Sequence, residues 1–179
     1  MRFRKDNRGY SLVELIVVVA MIAVLVTGIS LSISIIYNSN ARAGAYNIRS
    51  EMADLKVYSM SKDASSARMK LYRSSYDGDV YAQLQHKEGG SWEDYRDPQK
   101  VATRKVTVTC IKKDGSSVVL DGGAANYVCM AFDRGTGSMI DTVDDTVLVD
   151  KIIVEGGHKK YTLILYALTG KVEVINESV

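Results

Sequence analysis

The hydrophobic positions of this chain fall into two regimes. From Leu15 to Ala41 there are 27 consecutive residues without a charge, mostly Val, Ile, Leu, Ala and Met. At 1.5 Å per residue, about 20 residues cover the ~30 Å hydrocarbon core of a bilayer. The 23 uncharged residues of 15–37 therefore predict a transmembrane helix. Downstream, Ala45, Ile48, Met52, Leu55 and Tyr58 or Ser59 recur at three- and four-residue spacing, an amphipathic helical pattern. One helix is expected from Ser11 to about Met60, ~75 Å long, with Gly28, Gly44 and the Ser30/Ser32/Ser34 run as soft points. Residues 61–67 are small and polar and read as a linker or helix end.

Beyond Met60 the period becomes that of strands. Val106, Val108 and Cys110 alternate with Thr107 and Thr109, as on a half-buried strand. Strands are expected over 69–73, 79–85, 101–112, 117–120, 127–132, 146–154, 160–168 and 171–175. Glycines punctuate them, and Asp114-Gly115 and Thr169-Gly170 read as hairpin turns. The expected fold is α+β: a long N-terminal helix whose second half packs on an antiparallel sheet. The predicted divisions are a leader over 1–9, an apolar helical half over 10–37, an amphipathic half over 38–60 and a β-rich domain over 61–179.

Charge sharpens the picture. The 179 residues carry a formal net charge of +2. Residues 1–9, MRFRKDNRG, hold four basic side chains against Asp6, a net +3, so the rest of the chain stands at −1. A basic leader before an apolar span keeps that end in the cytoplasm, and the remainder then lies outside the cytoplasmic membrane. A nucleic-acid-binding body is not indicated, although Lys100, Arg104, Lys105, Lys112 and Lys113 are its candidates. The apolar run exceeds that of a secretory signal peptide, and no small-residue cleavage site precedes Arg42. A plain signal anchor for an outer enzyme or binding protein is one alternative.

The chemistry-bearing residues are sparse. Two histidines, His86 and His158, and two cysteines leave little material for catalysis or a thiolate zinc site, so no enzyme is expected. No phosphate-loop or nucleophile-elbow motif occurs. Cys110 and Cys129 either close a disulfide or stay as buried thiols. The tyrosines Tyr72, Tyr76, Tyr81 and Tyr95 offer a contact surface or the rim of a sheet. Glu14 is the exception to this plainness. It sits at the edge of the apolar run, where a carboxylate entering hydrocarbon costs about 2–3 kcal/mol. It needs a cation from a chain terminus or another chain, because the span holds no Lys or Arg.

The segment Arg8-Gly9-Tyr10-Ser11-Leu12-Val13-Glu14-Leu15-Ile16 resembles the processing motif of type IV pilins and type II secretion pseudopilins. The resemblance implies that a prepilin peptidase cuts after Gly9 and N-methylates Tyr10, which stands where Phe is commoner. Glu14 matches the family's assembly glutamate. The implied protein is a filament subunit rather than an enzyme. Its partners would be the peptidase/N-methyltransferase, other pilin or pseudopilin subunits, an inner-membrane assembly platform and membrane lipid. A DNA-uptake pilin is a second alternative, and nucleic acid is otherwise not an expected partner. Pilins often carry a Pro in the apolar half, and this chain has none there. The stretch from Phe132 to Ser138, with Thr169-Gly170-Lys171-Val172, is similar to the minor pseudopilin H group and implies a minor subunit. Some pseudopilins bind calcium in an outer loop. Asp133, Asp141, Asp144, Asp145 and Asp150 supply oxygen ligands, but their spacing fits no calcium loop, and no metal residue or cofactor is assigned.

Overall fold

The computed structural model describes residues 11–61 and 67–178, and for residues 27–34 and 178 the backbone alone. One helix, α1 (Leu12–Ser61), runs through 50 residues. No proline interrupts it, because the chain's single Pro is Pro98. Two compact units divide the chain, Met1–Ile36 and Tyr37–Val179, so the second half of α1 belongs with the strands.

In the first unit the side chains of Leu12, Val13, Leu15 and Ile16 are all exposed, at 76, 68, 60 and 55%. Among the described residues, no helix is long and apolar enough to cross a membrane. The uncharged run predicted over 15–37 passes through 27–34, whose side chains lie outside the described residues.

In the second unit α1 buries one stripe. Ala41, Ala45, Ile48, Met52 and Leu55 are fully buried, the spacing expected for one face, and Ser59 rather than Tyr58 continues it. Burying each larger aliphatic side chain contributes roughly 1.5–3 kcal/mol.

Among the described residues, eleven strands follow: β1 (Ala67–Arg73), β2 (Val80–Glu88), β3 (Ser91–Asp94), β4 (Gln99–Ala102), β5 (Thr107–Lys112), β6 (Ser117–Val119), β7 (Tyr127–Phe132), β8 (Met139–Ile140), β9 (Val149–Gly156), β10 (Lys159–Tyr166) and β11 (Lys171–Ser178). They form two sheets where one was expected. The first has the order β3-β2-β1-β7-β8, with β4 also on β2; the second is β11-β10-β9-β5-β6. All the strand pairs are antiparallel, and one isolated parallel bridge joins Cys129 to Thr146.

The continuous strand predicted over 101–112 is divided between the sheets. Val101 and Ala102 are buried on β4, and Val108 and Cys110 on β5. Between them Arg104 and Lys105 are exposed in a turn closed by the Val106 N–H donating to the Thr103 carbonyl at 3.1 Å. Arg73 joins the sheets. From β1 its guanidinium donates to the carbonyls of Gly78, Val106 and Leu120, and the last two flank β5 and β6 of the second sheet.

Gly44 serves packing rather than softness. A Cβ there would lie 3.1 Å from Ala102 Cβ on β4 and 3.4 Å from Val154 Cγ1 on β9. The helix thus comes close to a strand of each sheet at one residue. The hairpins at Asp114-Gly115 and Thr169-Gly170 form as expected, joining β5 to β6 and β10 to β11. The second turn is locked in place. Gly170 has φ +59°, and a Cβ there would run into the Gly137 carbonyl oxygen and lie 3.0 Å from Phe132 Cε1. Gly170→Ala should therefore lower the unfolding free energy by about 2 kcal/mol or more, since strain and overpacking act together. A urea midpoint equal to wild type would contradict this packing.

Candidate functional site at the helix start

Ser11 begins α1. Its hydroxyl accepts the Glu14 N–H at 3.2 Å, and its carbonyl accepts the N–H groups of Glu14 and Leu15 at 3.0 and 3.2 Å. The order Ser-x-x-Glu is that of a capping box, in which the first side chain satisfies a helix donor left without an intrahelical partner. Glu14 lies in the first turn, where a negative charge complements the positive end of the helix dipole. Its side chain is exposed, as are the apolar residues following it from Leu15 to Met21. The first turn thus presents a carboxylate on an otherwise apolar surface. Gly9 and Tyr10, assigned to processing from the sequence, lie outside the described residues.

Residues 4–30 match the family model described as the prokaryotic N-terminal methylation motif. That span contains Gly9, Tyr10 and Glu14 together, so the chain carries a prepilin-type N-terminus, which supports the type IV pilin and pseudopilin family. The minor pseudopilin H group is not singled out by this match. No curated protein and no solved structure matches the chain.

The two downstream segments that resemble that minor group meet in space. The Met139 N–H donates to the Ala167 carbonyl at 2.7 Å, and Gly137 abuts Gly170. Lys56, from the last turns of α1, donates to the Thr169 carbonyl at 2.7 Å. This junction fastens the β10–β11 turn to the helix.

The other candidates are dispersed. Cys110 and Cys129 are free thiols, one on β5 of the second sheet and one on β7 of the first, so the disulfide alternative is not formed. Burial pushes the Cys110 thiol up to about 12 and raises that of Cys129 as well. The aspartates do not converge. Asp133 accepts from its own turn, from the Thr136 hydroxyl at 2.7 Å and the Thr136 N–H at 2.9 Å. Asp144 pairs with Lys87 at 2.6 Å and Asp145 with Arg68 at 3.7 Å. The basic candidates are partly compensated. Lys100 pairs with Asp79, while Lys112 and Lys113 share a surface depression with Asp114 and Asp141.

Of the four tyrosines named from the sequence, Tyr72 and Tyr81 share a row with Tyr127, whereas Tyr95 packs on Tyr58 with ring centroids 4.3 Å apart and Tyr76 is exposed in the β1–β2 turn. Tyr81, Tyr72 and Tyr127 stand directly opposite one another on β2, β1 and β7, and the Lys70 ammonium sits 4.4 Å from the Tyr127 ring centroid. Tyr81 donates to Asp77 at 2.6 Å, which pushes its phenol up to about 12 and lowers the Asp77 carboxyl. Tyr127 was legible as a strand residue but not as the third member of this row. The sequence reading also missed the metal-ligand types His86, Glu88 and Glu93. The Gly89-Gly90 dipeptide between them was the available signal, because a two-residue turn there pairs residue 86 with 93.

The cysteines yield a test. A thiol reagent at pH 8 should label neither cysteine in the folded chain and both in urea. The stability that comes from keeping Cys110 protonated is fully present below its ordinary value of 9.0 and is lost as pH rises toward about 12. Cys110→Val should flatten that part of the stability curve. Rapid labelling without denaturant would refute the burial.

Proposed function

We propose that this chain is a filament subunit, cut after Gly9 by a prepilin peptidase and N-methylated at Tyr10. It then assembles with other pilin or pseudopilin subunits into an extracytoplasmic type IV pilus or type II secretion-like pseudopilus. The single observation carrying this reading is the motif match over 4–30. Before processing, the basic leader stays in the cytoplasm, the apolar half of α1 crosses the cytoplasmic membrane once, and the β-rich domain lies outside. The role is structural, with no cofactor. The convergence of the 133–138 loop with the Thr169-Gly170 turn supports a minor subunit that docks on the assembly platform with the others.

The charge chemistry of the helix start supports assembly. Cleavage creates an α-amino group on Tyr10 with a pKa near 8, a cation at neutral pH. Glu14 follows Tyr10 by four residues, a spacing that lets it serve its own terminus or a neighbour's. An unpaired charge buried in an apolar bundle is strongly unfavourable, so pairing selects the register in which subunits pack. The exposed valines, leucines and isoleucines of 12–22 supply the lateral surface, and Ala20 permits close approach. The compensated lysines of the β-domain favour this reading over DNA capture.

Mass spectrometry of the N-terminus tests the proposal. In cells with the peptidase, the chain should begin at methylated Tyr10, and Gly9→Val should leave full-length precursor in the membrane. A retained Met1 in the wild type would establish the plain anchor instead. Glu14→Val should still be processed but should incorporate poorly into filaments, having lost about 3–5 kcal/mol from a broken buried pair. Wild-type incorporation in sheared filaments would remove the pairing role.

A further inference from the structure

The β2–β3 hairpin gathers a nitrogen and two carboxylates on one face. His86 and Glu88 are two residues apart on β2 and so point the same way, and Glu93 on β3 is directly opposite His86. One ligand atom of each lies within 4.8 Å of the others, with His86 Nε2 3.2 Å from Glu88 Oε2. The two-residue turn, Gly89-Gly90, has φ of +59° and +90°, the positive values that a tight hairpin of this twist requires. That turn fixes the register and hence the spacing of the three side chains.

Among the described residues, no Lys or Arg pairs with Glu88 or Glu93. Two adjacent carboxylates with no such partner repel one another, and a dication would relieve that repulsion. The ring also has a preferred donor. His86 Nδ1 is buried without a hydrogen-bond partner, out of reach of an ion in solution, so Nε2 is the atom that faces the carboxylates.

We propose that His86, Glu88 and Glu93 form a surface site for a divalent transition-metal ion, with Zn2+ the best fit. One imidazole nitrogen and two carboxylate oxygens suit zinc's tetrahedral preference, water completing the fourth position. Calcium and magnesium favour all-oxygen sites, so the imidazole selects against them. Binding places the ring proton on Nδ1, and the lack of an acceptor there keeps the affinity moderate. The ion would clamp the hairpin, whether or not the chain is a filament subunit.

Isothermal titration of the full chain in detergent micelles with zinc chloride tests this. One Zn2+ per chain should bind saturably. His86→Ala and the nearly isosteric Glu93→Gln should each weaken binding at least about tenfold. His158→Ala should bind as wild type, and calcium chloride should give no saturable binding. Zinc affinity unchanged in His86→Ala and Glu93→Gln, equal uptake of calcium, or no saturable zinc binding by the wild type would overturn the site. Circular dichroism of each variant, matching wild type, assigns any loss to ligation rather than unfolding.

Discussion

The close approach of the second half of α1 to two sheets at once is the constraint on which the β-rich unit depends. A stripe of Ala41, Ala45, Ile48, Met52 and Leu55 supplies the helix side of the core. Small residues are needed where strands come nearest, and Gly44 sits between Ala102 of the first sheet and Val154 of the second. Gly156 does the same from the strand side, where a Cβ would lie 2.9 Å from the Tyr37 carbonyl oxygen. Two sheets with separate edges are thereby held to one helix, and Arg73 ties their loops by three hydrogen bonds to carbonyls.

The two units of the chain answer different physical demands. Residues 37–179 hide their apolar surface within themselves, as a domain with its own core does. The described residues of 12–26 present apolar side chains outward, with a single carboxylate at Glu14. A surface of that kind is suited to lipid or to like helices, and the capped first turn places its charge at the end of the helix rather than in the middle. The prepilin-type motif and this apolar surface fall on the same residues.

What could be read in the sequence was local. The buried stripe of α1 follows from three- and four-residue spacing, and β7 occupies the predicted residues 127–132 because its apolar run is bounded by Asn126 and Asp133. The motif around Gly9 and Glu14 is contiguous, so it needed no fold. The split of 101–112 was hidden because Val, Thr and Ala continue through it, and only Arg104-Lys105 marks the turn. The strand β3 is short and polar, with Ser91, Glu93 and Asp94 around Trp92, so no hydrophobic run announced it. Two sheets rather than one follow from distant pairings, β1 with β7 and β5 with β9, which no local pattern encodes. For the same reason the separation of Cys110 from Cys129, and the meeting of His86 with Glu93 across a turn, became visible only with the strands in register.

The contact between Lys56 and the Thr169 carbonyl spans 113 positions of the chain. The helical stripe precedes every strand that covers it, and Leu163 and Leu165 of β10 belong to the same core. The stripe is therefore made before any of its cover, and that cover is gathered from strands as near as β1 and as far as β10. The β10 part of that cover is the most costly to bring in, because the long intervening chain must be drawn together before distant contacts repay the entropy.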